Sequence, residues 1–207
     1  MYIYKILSKL ITQYTPGKQY RKYHQFAPWQ VLLTTNLYLY YDMDDYNRTV
    51  YVDMDGVLAD FDKGFFDITG RTSDNVQDQE LWAAIDAHGK AKFFGELQWM
   101  PGGKELWAFA TDNFLKVKIL SALGKSDKID KQTTQGKLVW LRHNIPALQL
   151  DDIILVQNKH SKKHYCKPDD IIIDDTLVVI EEWNSKGGIG ILHKTAGETI
   201  AKLRQYV

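Results

Sequence analysis

Paired aspartates follow two short apolar stretches of this sequence, where they could bind a metal or react with phosphate: Asp53 with Asp55, and Asp174 with Asp175. Side chains two residues apart at the end of a strand can project toward the same side. Two facing carboxylate pairs repel each other unless a cation lies between them, and Mg²⁺ prefers such hard oxygen ligands. We therefore predict a magnesium site built from the two pairs.

Neighbouring residues extend this prediction from a metal site to a phosphate site. Gly56 would allow a sharp turn that brings backbone amides close to a phosphate. Taken alone, Asp-x-Asp-Gly is as typical of a turn or a calcium-type loop as of a phosphate site. The order of Asp-x-Asp-Gly, Ser121, a lysine and a second aspartate pair favours phosphate chemistry over those alternatives.

These residues need a scaffold, and the pattern of the chain predicts one. Short apolar segments without polar alternation are separated by helix-like segments, which predicts an α/β fold whose parallel sheet is buried on both faces. Helical periodicity occurs over residues 62–95, 104–112 and 136–144. The predicted strands are Thr49–Val52, Val117–Leu120, Ile153–Val156, Ile171–Ile173 and Ile189–Leu192. Because ligands bind at the carboxyl ends of such strands, the aspartate pairs and Ser121 should meet at one edge.

Composition limits the function classes. The chain has 207 residues, of which 44% are hydrophobic and 25% charged, so it can bury a core. Equal numbers of basic and acidic residues, 26 each, remove any overall electrostatic case for nucleic acid or an acidic membrane. The single cysteine, Cys166, fits a reducing compartment, and no apolar run is long enough to span a membrane. We expect a soluble cytoplasmic protein without a stable nucleic-acid partner.

The first 42 residues differ from the rest of the chain. They contain eight of the twelve tyrosines and carry five basic residues against one acidic residue, whereas residues 43–207 carry 21 basic and 25 acidic residues. We expect an extension joined to a domain at residues 43–207. Helical spacing over residues 3–14 allows a basic amphipathic helix that docks on a membrane surface or a partner, or packs on the domain. Alternatively, the segment is not natively translated and Met43 is the start.

Several motifs resemble those of one superfamily. Val52–Phe61 resembles the first motif of the haloacid dehalogenase (HAD) phosphatases, with the 5′(3′)-deoxyribonucleotidase family, including its bacterial and phage-type members, as the best match. The resemblance covers about residues 48–195. Ile119–Ser121 resembles the second motif, Ile171–Asp175 the fourth, and Trp183–His193 the segment that follows the fourth.

The resemblance implies a fold and an activity. The fold would be a HAD-like Rossmannoid parallel sheet with helices on both faces and a small helical cap, at about residues 62–100, inserted after the first strand. The activity would be Mg²⁺-dependent hydrolysis of (deoxy)ribonucleoside monophosphates through an aspartyl phosphate. The alternatives are a HAD phosphatase for another small phosphate, such as a sugar phosphate, and a nucleic-acid end phosphatase. The partner would be a small nucleotide substrate, and the oligomeric state stays open, with a homodimer among the options.

The resemblance also implies roles for individual residues. Asp53 would be the nucleophile, and Asp55 would protonate the leaving alcohol and then activate water. Asp53, the backbone carbonyl of Asp55 and Asp175 would hold the metal, with Asp174 as an auxiliary ligand. Ser121 would donate a hydrogen bond to a phosphoryl oxygen.

The phosphate-binding lysine and the base-binding residues are less closely defined. The family places its lysine before the second aspartate pair, which favours Lys162 and leaves Lys163 and Lys159 open. Lys137 also matches a family lysine and would assist. Phe61 matches a position that contacts the nucleobase. Four aromatic side chains of the cap could supply further walls or simply pack in the core: Trp82, Phe93, Phe94 and Trp99.

Overall fold

A computed structural model of the protein describes residues 48–124 and 129–207. Within them, five parallel strands form one sheet in the order β3-β2-β1-β4-β5. The strands are β1 (Thr49–Val52), β2 (Lys116–Ala122), β3 (Ile153–Val156), β4 (Ile171–Asp174) and β5 (Ile189–Leu192). All five predicted strands and the parallel α/β fold are therefore confirmed. The helix predicted over residues 3–14 and the domain boundary near residue 43 lie outside the described residues.

Seven α-helices occur in the described part of the chain: α1 (Phe61–Thr69), α2 (Asp78–His88), α3 (Lys90–Gly95), α4 (Gly103–Asn113), α5 (Lys131–Asn144), α6 (Leu177–Asn184) and α7 (Ala196–Leu203). Helix α5 begins earlier than its hydrophobic spacing predicts, because the Asp130 side chain accepts hydrogen bonds from the first-turn amides of Gln132 and Thr133. Sequence periodicity did not predict α6 and α7. None of the helices in the described ranges is long and apolar enough to cross a membrane.

Helices cover both faces of the sheet. Alternate residues of β1 point to opposite faces, so Val50 and Val52 pack in one core cluster while Tyr51 packs in a second. The first cluster includes Trp140 of α5, and the second includes Trp183 of α6. This two-sided burial explains why the strands are apolar without alternation.

A helical insertion lies between β1 and β2. Its two ends are joined by hydrogen bonds from the Asp60 amide to the Gln98 carbonyl (2.8 Å) and from the Met100 amide to the Leu58 carbonyl (2.7 Å). Gly136 of α5 lets α3 approach closely, because a Cβ atom there would lie 2.6 Å from the carbonyl oxygen of Ala91. The insertion is thus fixed against α5.

Candidate active site

The register of the sheet brings three polar strand ends to one edge. Val52 pairs with Ile119 on one side and with Ile173 on the other. Asp53 directly follows Val52, and its amide donates to the Ile173 carbonyl at 2.9 Å. Parallel strands place their carboxyl ends at the same edge, so the residues that follow these pairs lie close together.

Lys162 joins the two aspartate pairs. Its ammonium group lies 2.8 Å from Oδ2 of Asp53 and 2.6 Å from Oδ2 of Asp174. The other oxygen of Asp174 accepts from the Thr176 amide at 2.9 Å. Burial alone would lower the pKa of Lys162, but the two carboxylates outweigh it and raise that pKa, so this buried lysine remains cationic.

A second buried lysine, Lys137 of α5, holds the other catalytic candidate. Its ammonium group donates to Oδ2 of Asp55 (2.7 Å), Oγ of Ser121 (2.8 Å) and the carbonyl of Ala122 (2.7 Å). It thereby ties the end of β1 to the end of β2. Burial raises the pKa of Asp55 above its ordinary value, with Lys137 opposing the rise.

Asp53, Asp174 and Asp175 form a carboxylate cluster in which one oxygen from each lies within 4.8 Å of the others. Although Asp175 keeps a solvent-exposed surface, the partial burial of its carboxyl, together with the charges of Asp53 and Asp174, raises the pKa of Asp175 to about 7. Gly56, with a φ of 73°, leaves room for Asp175, because a Cβ atom there would collide with that carboxylate. The raised pKa of Asp175 indicates that the positive charge of Lys162 does not fully neutralise these three carboxylates.

The residues present fit a divalent cation. With all groups ionised, the four aspartates carry four negative charges and Lys137 and Lys162 carry two positive charges. In addition, Oδ1 of Asp55 is buried and has no hydrogen-bond partner among the described residues. Hard oxygen donors with excess negative charge suit Mg²⁺.

The structure separates the three candidate lysines. Lys162 contacts Asp53, whereas Lys163 donates to Oε1 of Glu182 at 3.0 Å. Lys159 lies in the wall of a cavity in front of the strand ends. Lys162 is therefore the lysine placed beside the predicted nucleophile, and its contact with phosphate stays a prediction.

The cavity has a volume of about 610 Å³. Asp53, Asp55, Ser121 and Asp175 reach it from the strand ends, and Lys162 reaches it from the 3₁₀-helix Lys159–Tyr165. Pockets of this size accommodate small organic ligands, so the cavity has room for much more than a phosphate group.

The aromatic residues of the insertion divide into two groups. Phe61, Trp82 and Phe94 line the cavity. Phe93 is buried edge-on against Phe61, with ring centroids 5.4 Å apart, and Trp99 packs on Trp140 of α5 at 4.9 Å. Phe93 and Phe94 are thus buried core residues, although Phe94 also borders the cavity, and Trp99 is partly buried against the core.

Some cavity residues escaped sequence reasoning: Asp62, Asn158, His160 and Thr176. Asp62 follows Phe61, and His160 lies between two lysines that were considered, so proximity to the motifs was the available signal. Polar residues on surface turns and helices are too common for that signal to single them out.

No family model and no curated protein matches the chain. Several solved structures do match it. A haloacid dehalogenase-like hydrolase from Streptococcus pneumoniae has 16% identity and a TM-score of 0.44, covering 75% of this chain and 98% of its own. A HAD family enzyme from Bacteroides thetaiotaomicron has 14% identity and a TM-score of 0.42, covering 76% and 98%. At such scores, function has to be argued from the site of this chain itself.

Proposed function

We propose that this chain is a Mg²⁺-dependent phosphomonoesterase of the HAD type that hydrolyses (deoxy)ribonucleoside monophosphates through an aspartyl-phosphate intermediate. One observation carries the proposal. The Asp53 carboxylate faces a cavity that Asp55 and Ser121 also line, and it forms an ion pair of 2.8 Å with the buried, cationic Lys162. This set offers a nucleophile, a proton carrier and donors for phosphoryl oxygens.

In the first step, a carboxylate oxygen of Asp53 attacks phosphorus and the bond from phosphorus to the leaving oxygen breaks. Asp55 gives its proton to that oxygen, so the nucleoside leaves as an alcohol. The raised pKa of Asp55 favours the protonated form that this step needs. Ser121 and Lys162 hold the phosphoryl oxygens, whose charge grows as the leaving group departs.

In the second step, water attacks the phosphorus of the aspartyl phosphate while Asp55, now a carboxylate, accepts the proton. Phosphate leaves and the Asp53 carboxylate is restored. A divalent cation held by Asp53, Asp174, Asp175 and the backbone carbonyl of Asp55 would supply positive charge against the phosphoryl oxygens. Lys137 keeps Asp55 and Ser121 in place during both steps.

The cavity supports a nucleotide as the substrate. Its aromatic wall, formed by the partly exposed Phe61 and Trp82 in front of the buried Phe94, offers ring surfaces against which a nucleobase can pack. A sugar phosphate would leave that apolar wall uncovered. We also propose that the protein acts in the cytoplasm on free nucleotides.

Phosphate release from dUMP, dTMP, sugar phosphates and p-nitrophenyl phosphate, measured with Mg²⁺, tests the proposal. We expect kcat/KM for the nucleotides to exceed that for sugar phosphates by orders of magnitude. Asp53→Asn should abolish turnover without unfolding the protein. Asp67→Asn is the matched control, because Asp67 is an exposed carboxylate on α1 that pairs with Lys63.

The outcomes separate the parts of the proposal. Retained turnover in Asp53→Asn would place the nucleophile elsewhere. A preference for sugar phosphates would retain the phosphatase and reject the nucleotidase. Failure to release phosphate from any of these esters would reject the function altogether.

A further inference from the structure

The cavity contains a cationic wall that the proposed chemistry does not use. Lys159 and His160 line it from the 3₁₀-helix Lys159–Tyr165, which follows β3. Lys162, one turn later in the same helix, is already bound to Asp53 and Asp174. The hydrolysis steps therefore leave the first two side chains without a role.

This wall is held in position by its own contacts. Oδ1 of Asn158 accepts from the Ser161 amide at 3.2 Å and fixes the start of the 3₁₀-helix. Nδ1 of His160 lies 3.1 Å from Oε1 of Glu182 in α6, which orients the imidazole. Glu182 also accepts a hydrogen bond from the Lys163 ammonium group at 3.0 Å, which holds this carboxylate in place. The contact with Glu182 therefore fixes the orientation of the imidazole beside Lys159.

Charge is distributed unevenly around the cavity. Lys159 has no carboxylate partner among the described residues. The wall contributed by the insertion carries Asp62, which accepts a hydrogen bond from Ser73, beside the aromatic residues. A second anionic group on the substrate would be repelled by Asp62 and attracted by Lys159. The cavity thus has an aromatic wall, which carries Asp62, and a cationic wall opposite in charge, which carries Lys159.

We propose that Lys159, with His160 beside it, forms a second phosphate subsite, and that the preferred substrates are nucleoside bisphosphates, with one phosphate at Asp53 and the other at Lys159. This inference rests on the proposed function and narrows its substrate class. Hydrolysis of the phosphate at Asp53 would release inorganic phosphate and leave a nucleoside monophosphate. Charge-assisted hydrogen bonds from the Lys159 ammonium group are strong enough to favour the second phosphate about tenfold.

The test compares thymidine 3′,5′-bisphosphate with thymidine 5′-monophosphate. For the unaltered protein, we expect kcat/KM to be at least about tenfold higher for the bisphosphate, mainly through a lower KM. Lys159→Ala should bring the ratio close to one, and Lys159→Arg should largely preserve it. Lys167→Ala is the matched control, since this exposed lysine follows the same 3₁₀-helix but does not line the cavity, and it should keep the ratio.

A binding measurement makes the subsite testable apart from the reaction. Calorimetry on Asp53→Asn protein with Mg²⁺ should show the same preference for the bisphosphate, and its loss in the Asp53→Asn, Lys159→Ala double variant. If no ester is hydrolysed, the proposed function fails while the affinity ratio still decides the subsite. Equal affinities for the two nucleotides, or a ratio that Lys159→Ala leaves unchanged, would overturn the inference. So would tighter binding of a 5′-phosphorylated dinucleotide than of the bisphosphate, which would indicate a nucleic-acid end as substrate.

Discussion

Replacement of Lys137 with methionine should destabilise the protein strongly. The lysine is fully buried and makes three hydrogen bonds of 2.7–2.8 Å, to Asp55, Ser121 and the carbonyl of Ala122. Methionine fills a similar volume but provides no donor, so all three acceptors lose this partner. Removing one partner of a buried ion pair costs about 3–5 kcal/mol. Because the Asp55 side chain keeps 26% exposure and can take up a proton, we expect the lower end, about 3 kcal/mol.

Urea unfolding without metal measures this loss, and thermal unfolding provides a second measure. For a domain of this size, about 3 kcal/mol corresponds to a fall in Tm of about 6–12 °C. Lys131→Met is the matched control, because Lys131 lies on the same helix and is exposed, and it should change stability by less than about 0.5 kcal/mol.

A double-mutant cycle with Asp55→Asn isolates the pair. Since Lys137 and Asp55 are in direct contact, the two losses should not add, and the coupling energy should exceed about 1 kcal/mol. Two results would contradict this account of the site. One is a loss for Lys137→Met no larger than that for Lys131→Met, and the other is strictly additive losses in the cycle.

Three further predictions concern the metal, the pH dependence and the packing of the insertion. Mg²⁺ should raise Tm by neutralising the carboxylate cluster. The rise should be smaller at pH 6, because a carboxyl group with a pKa of about 7 then holds a proton in competition with the metal, and smaller in Asp175→Asn, which lacks that ligand charge. An equal rise in the variant would exclude this site. Burial lowers the pKa of His193, so as the pH is lowered below about 6.5 the unfolded chain binds more protons than the folded protein, and the free energy of unfolding decreases. Urea unfolding between pH 7 and pH 5 should show a smaller decrease in His193→Gln than in the unaltered protein. An equal decrease would refute this role of His193. Gly136→Ala should cost about 1–3 kcal/mol in urea unfolding, because the new Cβ meets the Ala91 carbonyl, whereas Gly197→Ala, with open space around it on α7, should be neutral or stabilising; equal effects would contradict the close packing of α3 on α5.

The strands were predictable because they are buried on both faces. Apolar segments such as Ile171–Ile173 carry no polar alternation, and the polar residues that follow them mark where the strands end. Helices α6 and α7 were missed, since each has only eight residues and so provides little periodicity to detect. The early start of α5 depends on the Asp130 cap, which apolar spacing does not reveal.

Lysines show the limit of sequence reasoning most clearly. Three of them fall within five positions, and all three are plausible by spacing alone: Lys159, Lys162 and Lys163. The fold directs Lys162 inward to Asp53 and Asp174, Lys163 to Glu182, and Lys159 to the cavity wall. Successive positions on a tight helix face different directions, so their surroundings follow from what packs around the helix.

The sequence by itself limited the kinds of chemistry that these residues can perform and predicted the edge of the sheet at which they meet. Residue type decides which groups can ligate a metal or attack phosphorus, and the order of apolar segments decides that Asp53, Ser121 and Asp174 end parallel strands. Tertiary structure alone decided which lysine contacts the predicted nucleophile, that Lys137 ties Asp55 to Ser121, and which aromatic residues face the cavity. Those contacts join residues 16 to 109 positions apart, and only the packing of helices against the sheet brings them within bonding distance.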